Sequence, residues 1–464
     1  MPKKILITGA SGFIGQALIE ELLLHTDYQL VGISRYKQKS EHPRFEWKQG
    51  DLFSLKDISN AMEGCDEAVY LVHSMLPSAS LAQGEFYDYD LIMADNFRRA
   101  AEQQNLKHIV YLGGIIPKNT ELSWHLRSRL EVEQTLKAGN ICVSTLRAGL
   151  IIGAKGSSFV ILKRLVERLP IMITPDWAQT RSQPVYIADV IKVVSRVLST
   201  DSVKGKVYDL GGKTILSYQD LMIKTSEIMN KKRVFLHFNI IPIGLSRFWV
   251  KLVSGVHKDL VYPLVLSLKY PMVVEESVHH WPFPEDLSTS LDDSLQLSLQ
   301  SAPRAKFVIK NTFHGYTPEK RDVRSIQRMV LPKGKRAEWA SLEYFKWLPQ
   351  FFSSLIQVEI LGDRCTFYLF DPSIKILILE RSVERSSVDR QLLYVTGGLL
   401  AGVQKRGRLE FREVLERKYV LAALHEFRPA LPWFIYRWTQ AIVHLMVMKA
   451  FEEHLKWIYL KDEK

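Results

Sequence analysis

Eight residues near the amino terminus constrain the fold of this chain more than any others: Thr8-Gly9-Ala10-Ser11-Gly12-Phe13-Ile14-Gly15. They follow the β-branched apolar run Lys4-Ile5-Leu6-Ile7 and open a segment, Gly15 to Leu24, whose apolar residues recur every three or four positions. That period marks a helix laying one face on a sheet. Strand, glycine turn and helix in that order are the context in which a glycine-rich match carries meaning. Gly9 permits a tight turn, Gly12 lets the backbone approach a pyrophosphate, and Gly15 lets the helix pack closely on the strand. An anion placed there meets the N–H groups and the positive end of the helix dipole. The motif predicts a dinucleotide site built from Gly9, Ser11, Gly12, Phe13, Ile14 and Gly15.

From Lys3 to about Leu150 the strand-like runs are KILITGA, YQLVGISR, EAVYLVHS, HIVYLGG and ICVSTLRAG, and Ala94 to Gln104 adds another helical pattern. Strands separated by helices imply βαβ units, hence an α/β fold with a doubly wound, parallel Rossmann sheet. From about Ile151 the runs QPVYIADV and KVYDLGG each lead into a helix, with Asp189 and Ser217 as expected N-caps. This stretch reads as a small substrate lobe, so that residues 1–275 form the nucleotide-binding domain. Ser277 to Ser301 turns polar, with Pro282 and Pro284, and 276–330 reads as a linker or the start of the next domain. Residues 331–464 read as an α+β domain. Its strands are CTFYLFD, IKILILER, QLLYVTGGLLA, RGRLEFREV and YVLAALHEF, followed by a long amphipathic helix after Pro432. A curved antiparallel sheet gripping a helix, the helix-grip or START-like arrangement, fits that order.

Composition narrows the function classes. No signal-peptide pattern follows Met1-Pro2-Lys3-Lys4, which predicts a cytoplasmic protein. Cys65, Cys142 and Cys365 are too few and too scattered for a disulfide framework or a paired metal-ligand motif, so three buried thiols and no metal site are expected. The formal charge of +12 raises nucleic acid or an anionic membrane as partners. No RNP motif, zinc finger or long Lys/Arg block accompanies it, and nucleic acid is set aside. The longest apolar stretch, Leu431 to Met448, is broken by Arg437, Gln440 and His444, whereas a bilayer span needs about 20 mostly apolar residues. Trp433, Phe434, Trp438, Phe451 and Trp457 interleave there with Arg437, His444 and Lys449. That pattern reads either as core aromatics or as a peripheral membrane-surface helix.

The end of the second strand selects the cofactor. An NAD enzyme usually carries an acid there for the ribose hydroxyls, but this chain has Ser34-Arg35, followed by Lys37 and Lys39. Ser34 and Arg35 suit a 2′-phosphate, so NADP(H) is favoured over NAD(H). The alternative is that Arg35 begins a solvated basic loop.

TGASGFIG, Ser34-Arg35, Gly50-Asp51-Leu52, Tyr111-Leu112-Gly113-Gly114 and Pro184-Val185-Tyr186-Ile187-Ala188-Asp189-Val190 together resemble the atypical, extended short-chain dehydrogenases/reductases, in particular their NmrA-like and YbjT-like members. The resemblance covers roughly the first 270 residues. It implies that Asp51 and Leu52 contact the adenine, that Leu71 to Ser74, with Val72 and His73, border the nicotinamide ribose, and that Asn96 matches the family's helix asparagine. The catalytic pattern departs from the family. Gly113-Gly114 stands where active members carry a Ser, and His125-Leu126-Arg127-Ser128-Arg129 replaces Tyr-x-x-x-Lys, with Glu133 supporting the register. His125 is the candidate proton carrier because imidazole titrates near neutrality, and Arg129 the candidate cation for the ribose. The alternatives are a helix-start histidine without chemistry and a salt bridge from Arg129 to Glu133. Arg147 lies where the superfamily often meets substrate and suits a carboxylate or phosphate, or is structural.

From about Trp339 onward, ERSSVDRQLLYVTGGLLA and HEFRPALPWFIYRWTQAIVH resemble the uncharacterised domain fused behind such dehydrogenases in bacteria. A helix set against a curved sheet leaves room for an apolar ligand. Two readings of function follow: an NADP(H)-dependent oxidoreductase with an atypical active site, acting on a small or apolar molecule, or a non-catalytic NADP(H)-sensing regulator or assembly factor. The sequence leaves the substrate and the oligomeric state open.

Overall fold

The computed structural model describes residues 2–40, 42–73, 79, 81–118, 121–238, 243–275, 279–300, 322–353, 355–402 and 406–462. The chain divides into two compact units, one of residues 1–75 and 94–312, the other of 76–93 and 313–464.

The first unit is built on strands β1 (Lys4–Ile7), β2 (Gln29–Ser34), β3 (Phe45–Gln49), β4 (Glu67–Tyr70), β6 (His108–Gly114), β7 (Cys142–Ala148) and β12 (Val207–Leu210). They lie in the order β12-β7-β6-β4-β1-β2-β3, every neighbouring pair parallel. Helices α1 (Phe13–His25) and α6 (Ile187–Ser199) cover one face through Leu18, Leu22, Val190 and Val194. The other face meets α2 (Leu55–Met62), the later part of α3 (Phe86–Gln103) and α4 (Trp124–Lys137), through Ile58, Phe97 and Val132. This is the doubly wound Rossmann sheet. Its strand order reverses between β1 and β4, where such sheets open a crevice beyond the carboxyl ends of the strands.

The chain alternates between this sheet and the smaller lobe, so the lobe is not the continuous stretch expected from Ile151. KVYDLGG supplies β12, the edge strand paired with β7, and the helix after QPVYIADV is α6, whose apolar face fits the sheet. The lobe itself is α5 (Ser157–Arg168), α7 (Tyr218–Ile228), α8 (Ile243–Ser254), α9 (Lys258–Ser267) and α10 (Leu291–Leu299), joined by the short pairs β8 (Ile151–Ile152) with β11 (Val185–Tyr186), β9 (Ile171–Thr174) with β14 (Val234–His237), and β10 (Arg181–Ser182) with β13 (Leu216–Ser217). Ser217 caps α7 in a reciprocal capping box with Asp220. Asp189 does not cap α6. It sits in the first turn, buried, and accepts from the Thr289 N–H and hydroxyl at 3.1 and 2.6 Å.

Opposite the crevice, the amino-terminal edge of the sheet is pinned by a buried ion network. Glu67 accepts from Lys3 and Lys204, both at 2.9 Å, and faces His108 Nδ1 at 3.2 Å, while His108 Nε2 meets the Ser144 hydroxyl at 2.7 Å. Burial alone would raise the Glu67 carboxyl, but the bonds from His108, Lys204 and Lys3 outweigh it and hold it at about 2. Cys65 and Cys365 are buried, whereas Cys142 is exposed because it opens β7 at this outer edge.

The second unit is an eight-stranded sheet: β5 (Leu81–Gln83), β15 (Val323–Val330), β16 (Ile356–Leu361), β17 (Arg364–Leu369), β18 (Asp371–Arg381), β19 (Arg390–Gly397), β20 (Arg408–Val414) and β21 (Tyr419–Phe427), in the order β16-β17-β18-β19-β20-β21-β15-β5. All pairs are antiparallel except β15 with β5. The five strands expected from sequence are present, and β15 starts inside the segment 276–330. That segment therefore divides: α10 belongs to the lobe and β15 to the second unit, while 276–278 and 301–321 lie outside the described residues. One sheet face packs on α11 (Ala337–Phe351) and on the carboxy-terminal helices α12 (Trp433–Trp438) and α13 (Gln440–Asp462). The grip is filled by aromatic rings. Tyr344 lies 5.6 Å from Phe411 and 5.1 Å from Phe451, and Trp347 lies 5.2 Å from Phe451.

Candidate functional site

The glycine turn joins β1 to α1 with geometry that only glycine permits. Gly9 has φ +67°, and its carbonyl accepts from the Gly12 N–H at 2.8 Å. A Cβ on Gly15 would stand 2.3 Å from the Gly9 carbonyl oxygen and 2.8 Å from Ala10 Cα, both immovable backbone, and one on Gly12 would stand 3.0 Å from that oxygen. Gly12 is the N-cap of α1 and no side chain caps the helix, so the first amides face outward as an anion cradle. Gln16 donates to the Ser11 carbonyl at 3.1 Å and fixes the turn. Thr8 ties it to the neighbouring strand, its hydroxyl accepting from the Leu71 N–H at 3.1 Å. Phe13 and Ile14, the first residues of α1, are half-buried.

At the end of β2, Ser34 Oγ accepts from the Tyr36 N–H at 3.2 Å, shaping the turn that exposes Arg35. The next βα loop is equally ordered. Asp51 Oδ1 accepts from the Phe53 N–H, and the Asp51 N–H donates to Asp57, both at 3.2 Å. Asn96, fully buried on α3, donates to the Leu52 carbonyl at 2.9 Å. This bond gives Asn96, a catalytic candidate from the family resemblance, a positioning role in holding the Asp51-Leu52 loop.

On the opposite side of the crevice Leu71, Val72 and His73 leave β4 half-buried; Ser74 lies outside the described residues. The His73 ring sits 5.1 Å from that of His125, at the start of α4. His125 Nδ1 meets the Ser267 hydroxyl at 3.0 Å, and Ser123, the N-cap of α4, meets the same hydroxyl at 3.0 Å. Ser267 in turn donates to the Pro263 carbonyl at 3.1 Å. With that proton committed, Ser267 accepts from Nδ1, which leaves Nε2 as the proton-accepting nitrogen. The sequence reading missed Ser123 and Ser267. A serine before a helical run signals an N-cap, but nothing local marks Ser267, which reaches His125 across 142 positions.

The two arginines point elsewhere. Arg129 is buried, and its Nε and Nη2 donate to the Tyr111 hydroxyl at 2.9 and 2.6 Å, while that hydroxyl donates to the Arg129 carbonyl at 3.0 Å. Glu133 receives Arg147 in a two-pronged pair, 2.9 and 3.0 Å, together with Lys137 at 2.8 Å. Burial opposes ionisation of Glu133, but those bonds outweigh it and lower its pKa. Arg147 also lies 4.0 Å from Asp209, whose carboxyl burial raises. Arg147 is thus committed to tying β7 to α4.

An apolar pocket opens in the lobe between α5, α7, α8 and α9. Leu150, Leu162, Trp177, Tyr218, Leu264 and Leu268 line it. Burial pushes the Tyr218 phenol up to about 12, so it remains neutral. Leu264 precedes Ser267 by three residues on α9, which sets the pocket wall about one helical turn from the partner of His125.

Residues 9–149 match the family model described as NAD(P)H-binding. The auxiliary protein GraX of Staphylococcus aureus is 34% identical over 116 residues, spanning 25% of this chain and 37% of that protein. An uncharacterised UDP-glucose epimerase, YtcB of Bacillus subtilis, is 24% identical over 304 residues, 57% of this chain and 94% of its own. Among solved structures, a nucleoside-diphosphate-sugar epimerase from Staphylococcus aureus superposes with a TM-score of 0.51 at 17% identity, covering 63% of this chain and 99% of that one. The family-model match falls largely on the first unit, which is an NAD(P)H-binding domain of Rossmann type.

Proposed function

We propose that this protein is a cytoplasmic NADP(H)-dependent oxidoreductase with a rebuilt active site, acting on a small, largely apolar molecule. The observation that carries the reading is the turn from Gly9 to Gly15, where a Cβ has no room and α1 begins without a side-chain cap. The α1 amides would hold the pyrophosphate, Ser34 and Arg35 the 2′-phosphate, Asp51 and Leu52 the adenine, and Val72 and His73 the nicotinamide ribose. A nicotinamide held there supplies or accepts the hydride. His125 Nε2 carries the accompanying proton, with Ser267 fixing the ring through Nδ1. The lobe pocket favours an apolar substrate body over a nucleoside diphosphate sugar, since no cation stands among its described lining residues. The Trp177 indole N–H, buried and without an acceptor among the described residues, suits one oxygen of such a molecule.

The first test is a fluorescence titration with NADPH and NADH, in wild type and in Arg35→Asp. Preferential NADPH binding that the substitution reverses is the expected result, and binding of neither nucleotide refutes the proposal. Turnover of an apolar carbonyl panel should then vanish in His125→Ala with NADPH affinity intact.

A second reading, a regulator or assembly factor that senses NADP(H) without turnover, has one observation in its favour. The next described strand after β4 in the chain is β5, a strand of the second unit's sheet. NADPH binding without turnover of any carbonyl compound, together with NADPH-dependent hydrogen exchange in β5, would select it.

A further inference from the structure

The carboxy-terminal helices of the second unit carry a surface unconnected with nucleotide binding. Helix α13 is apolar on two sides. Ala441, Val447, Met448, Phe451 and Leu455 are buried in the core, while Ile442, Val443 and Met446 stand exposed. A helix apolar all round is ordinarily covered all round. Helix α12 extends the bare side, so that Phe434, Trp438, Ile442 and Met446 recur every four residues at 69%, 75%, 51% and 49% exposure. Tyr436, between the first two, turns inward and is buried. From Arg428 to Ala450 the chain contains no Asp or Glu, and Arg437 and Lys449 stand exposed beside the stripe.

We propose that this face docks on the surface of a bilayer containing anionic phospholipid. Phe434 and Trp438 would sit at the headgroup boundary, where amphipathic aromatic rings partition, and Arg437 and Lys449 would meet the phosphates. The alternative occupant, a second copy of the chain, fits the charges badly. A two-fold contact sets the same patch against itself, which would press Arg437 against its own counterpart with no carboxylate from Arg428 to Ala450 to offset it; Lys449 has Glu452 beside it. Among the described residues no helix is long and apolar enough to cross a membrane, so the contact is one of lying on the surface.

The test uses the full chain and co-sedimentation with vesicles of phosphatidylcholine alone or mixed with phosphatidylglycerol. Wild type should bind the anionic vesicles, with rising salt weakening the contact. Arg437→Glu/Lys449→Glu should lose about thirtyfold or more in partitioning, and Phe434→Ser/Trp438→Ser about tenfold. All four sites are exposed, so unfolding midpoints should stay put. Absence of binding to anionic vesicles overturns the proposal, as does binding that survives both double variants. A dimer that Trp438→Ser dissociates, in protein that ignores vesicles, also overturns it and makes the face a contact between copies.

Discussion

Gly15→Ala is the most direct challenge to the cofactor site. The added methyl would sit 2.3 Å from the Gly9 carbonyl oxygen, 2.8 Å from Ala10 Cα and 2.9 Å from the Gly9 carbonyl carbon. All three are backbone, so no rotamer relieves the clash, and the start of α1 must move by about 1 Å to restore contact distance. Overpacking of that kind costs about 1–3 kcal/mol of stability. The larger effect falls on the ligand. A shift of about an ångström takes the first α1 amides beyond hydrogen-bond reach of a bound pyrophosphate, and losing two charge-assisted bonds at about 1.5–3 kcal/mol each weakens binding at least a hundredfold. NADPH fluorescence titration measures the affinity and thermal unfolding the stability. Gly244→Ala, with nothing within 4 Å of its Cβ, is the control and should bind as wild type, with stability unchanged or raised by about 0.5–1 kcal/mol. Gly12→Ala, with a single contact at 3.0 Å, separates the two effects by keeping the fold while weakening NADPH. An alanine at 15 that binds NADPH within about threefold of wild type would refute the assignment of this turn to the pyrophosphate.

Arg147→Met should destabilise the protein by about 1–3 kcal/mol, because it removes two of the bonds to the buried Glu133 carboxylate and leaves it to Lys137; a stable variant that loses only substrate would make Arg147 a substrate ligand. Glu67 has a carboxyl held at about 2, below its unfolded value, so its contribution is full above about pH 4.5 and is lost as pH falls toward 2. Glu67→Gln should therefore lose about 2–3 kcal/mol near neutrality and unfold with a shallower acid limb in denaturant titrations at stepped pH; an unchanged acid limb would dismiss the network as the cause. Ser267→Ala frees His125 Nδ1 and should displace the pH profile of kcat while leaving NADPH affinity alone; a loss of NADPH affinity instead would make Ser267 structural.

The parallel core was legible because β1, β2, β4, β6 and β7 are continuous apolar runs, as strands buried on both faces must be. Strand β3, Phe-Glu-Trp-Lys-Gln, escaped notice because it lies at the sheet edge and alternates buried with exposed positions. β12 was recognised as a strand and placed in the wrong layer, since sequence gives a strand's existence and only long-range pairing gives its neighbour. The same limit applies to β5, three residues that acquire meaning through β15, more than two hundred positions away. In the site, the tight geometry of the glycine turn was legible because its constraint is local. Long-range partners are not marked locally: Arg129 bonds Tyr111, Arg147 takes the structural alternative with Glu133, and the carboxy-terminal aromatics divide between a buried Phe451 and an exposed Trp438.

The departures from the short-chain dehydrogenase pattern at Gly113 and Arg129 are physically linked. Tyr111 and Gly113 lie two residues apart on β6, so their side-chain positions share a face. The Tyr111 ring occupies the space that a side chain at 113 would need, with its Cε1 2.8 Å from where a Cβ would stand. Arg129 holds the ring there through two donated bonds, and the Tyr111 hydroxyl answers with one to the Arg129 carbonyl. A lysine at 129 offers a single ammonium and could not reproduce that fork. Restoring the family's serine alone should therefore fail. Gly113→Ser must displace a fully buried tyrosine, at a cost of about 1–3 kcal/mol, and would scatter the Arg129 bonds without presenting its hydroxyl to the crevice. Carbonyl polarisation in a catalytic form of this protein has to come from another donor, and because the Ser267 proton is committed to Pro263 and the Ser123 proton to Ser267, the Trp177 indole N–H of the lobe pocket, without an acceptor among the described residues, is the donor proposed for it. If Trp177→Phe keeps full turnover on a substrate that needs His125, that reasoning is wrong and the reacting oxygen lies elsewhere.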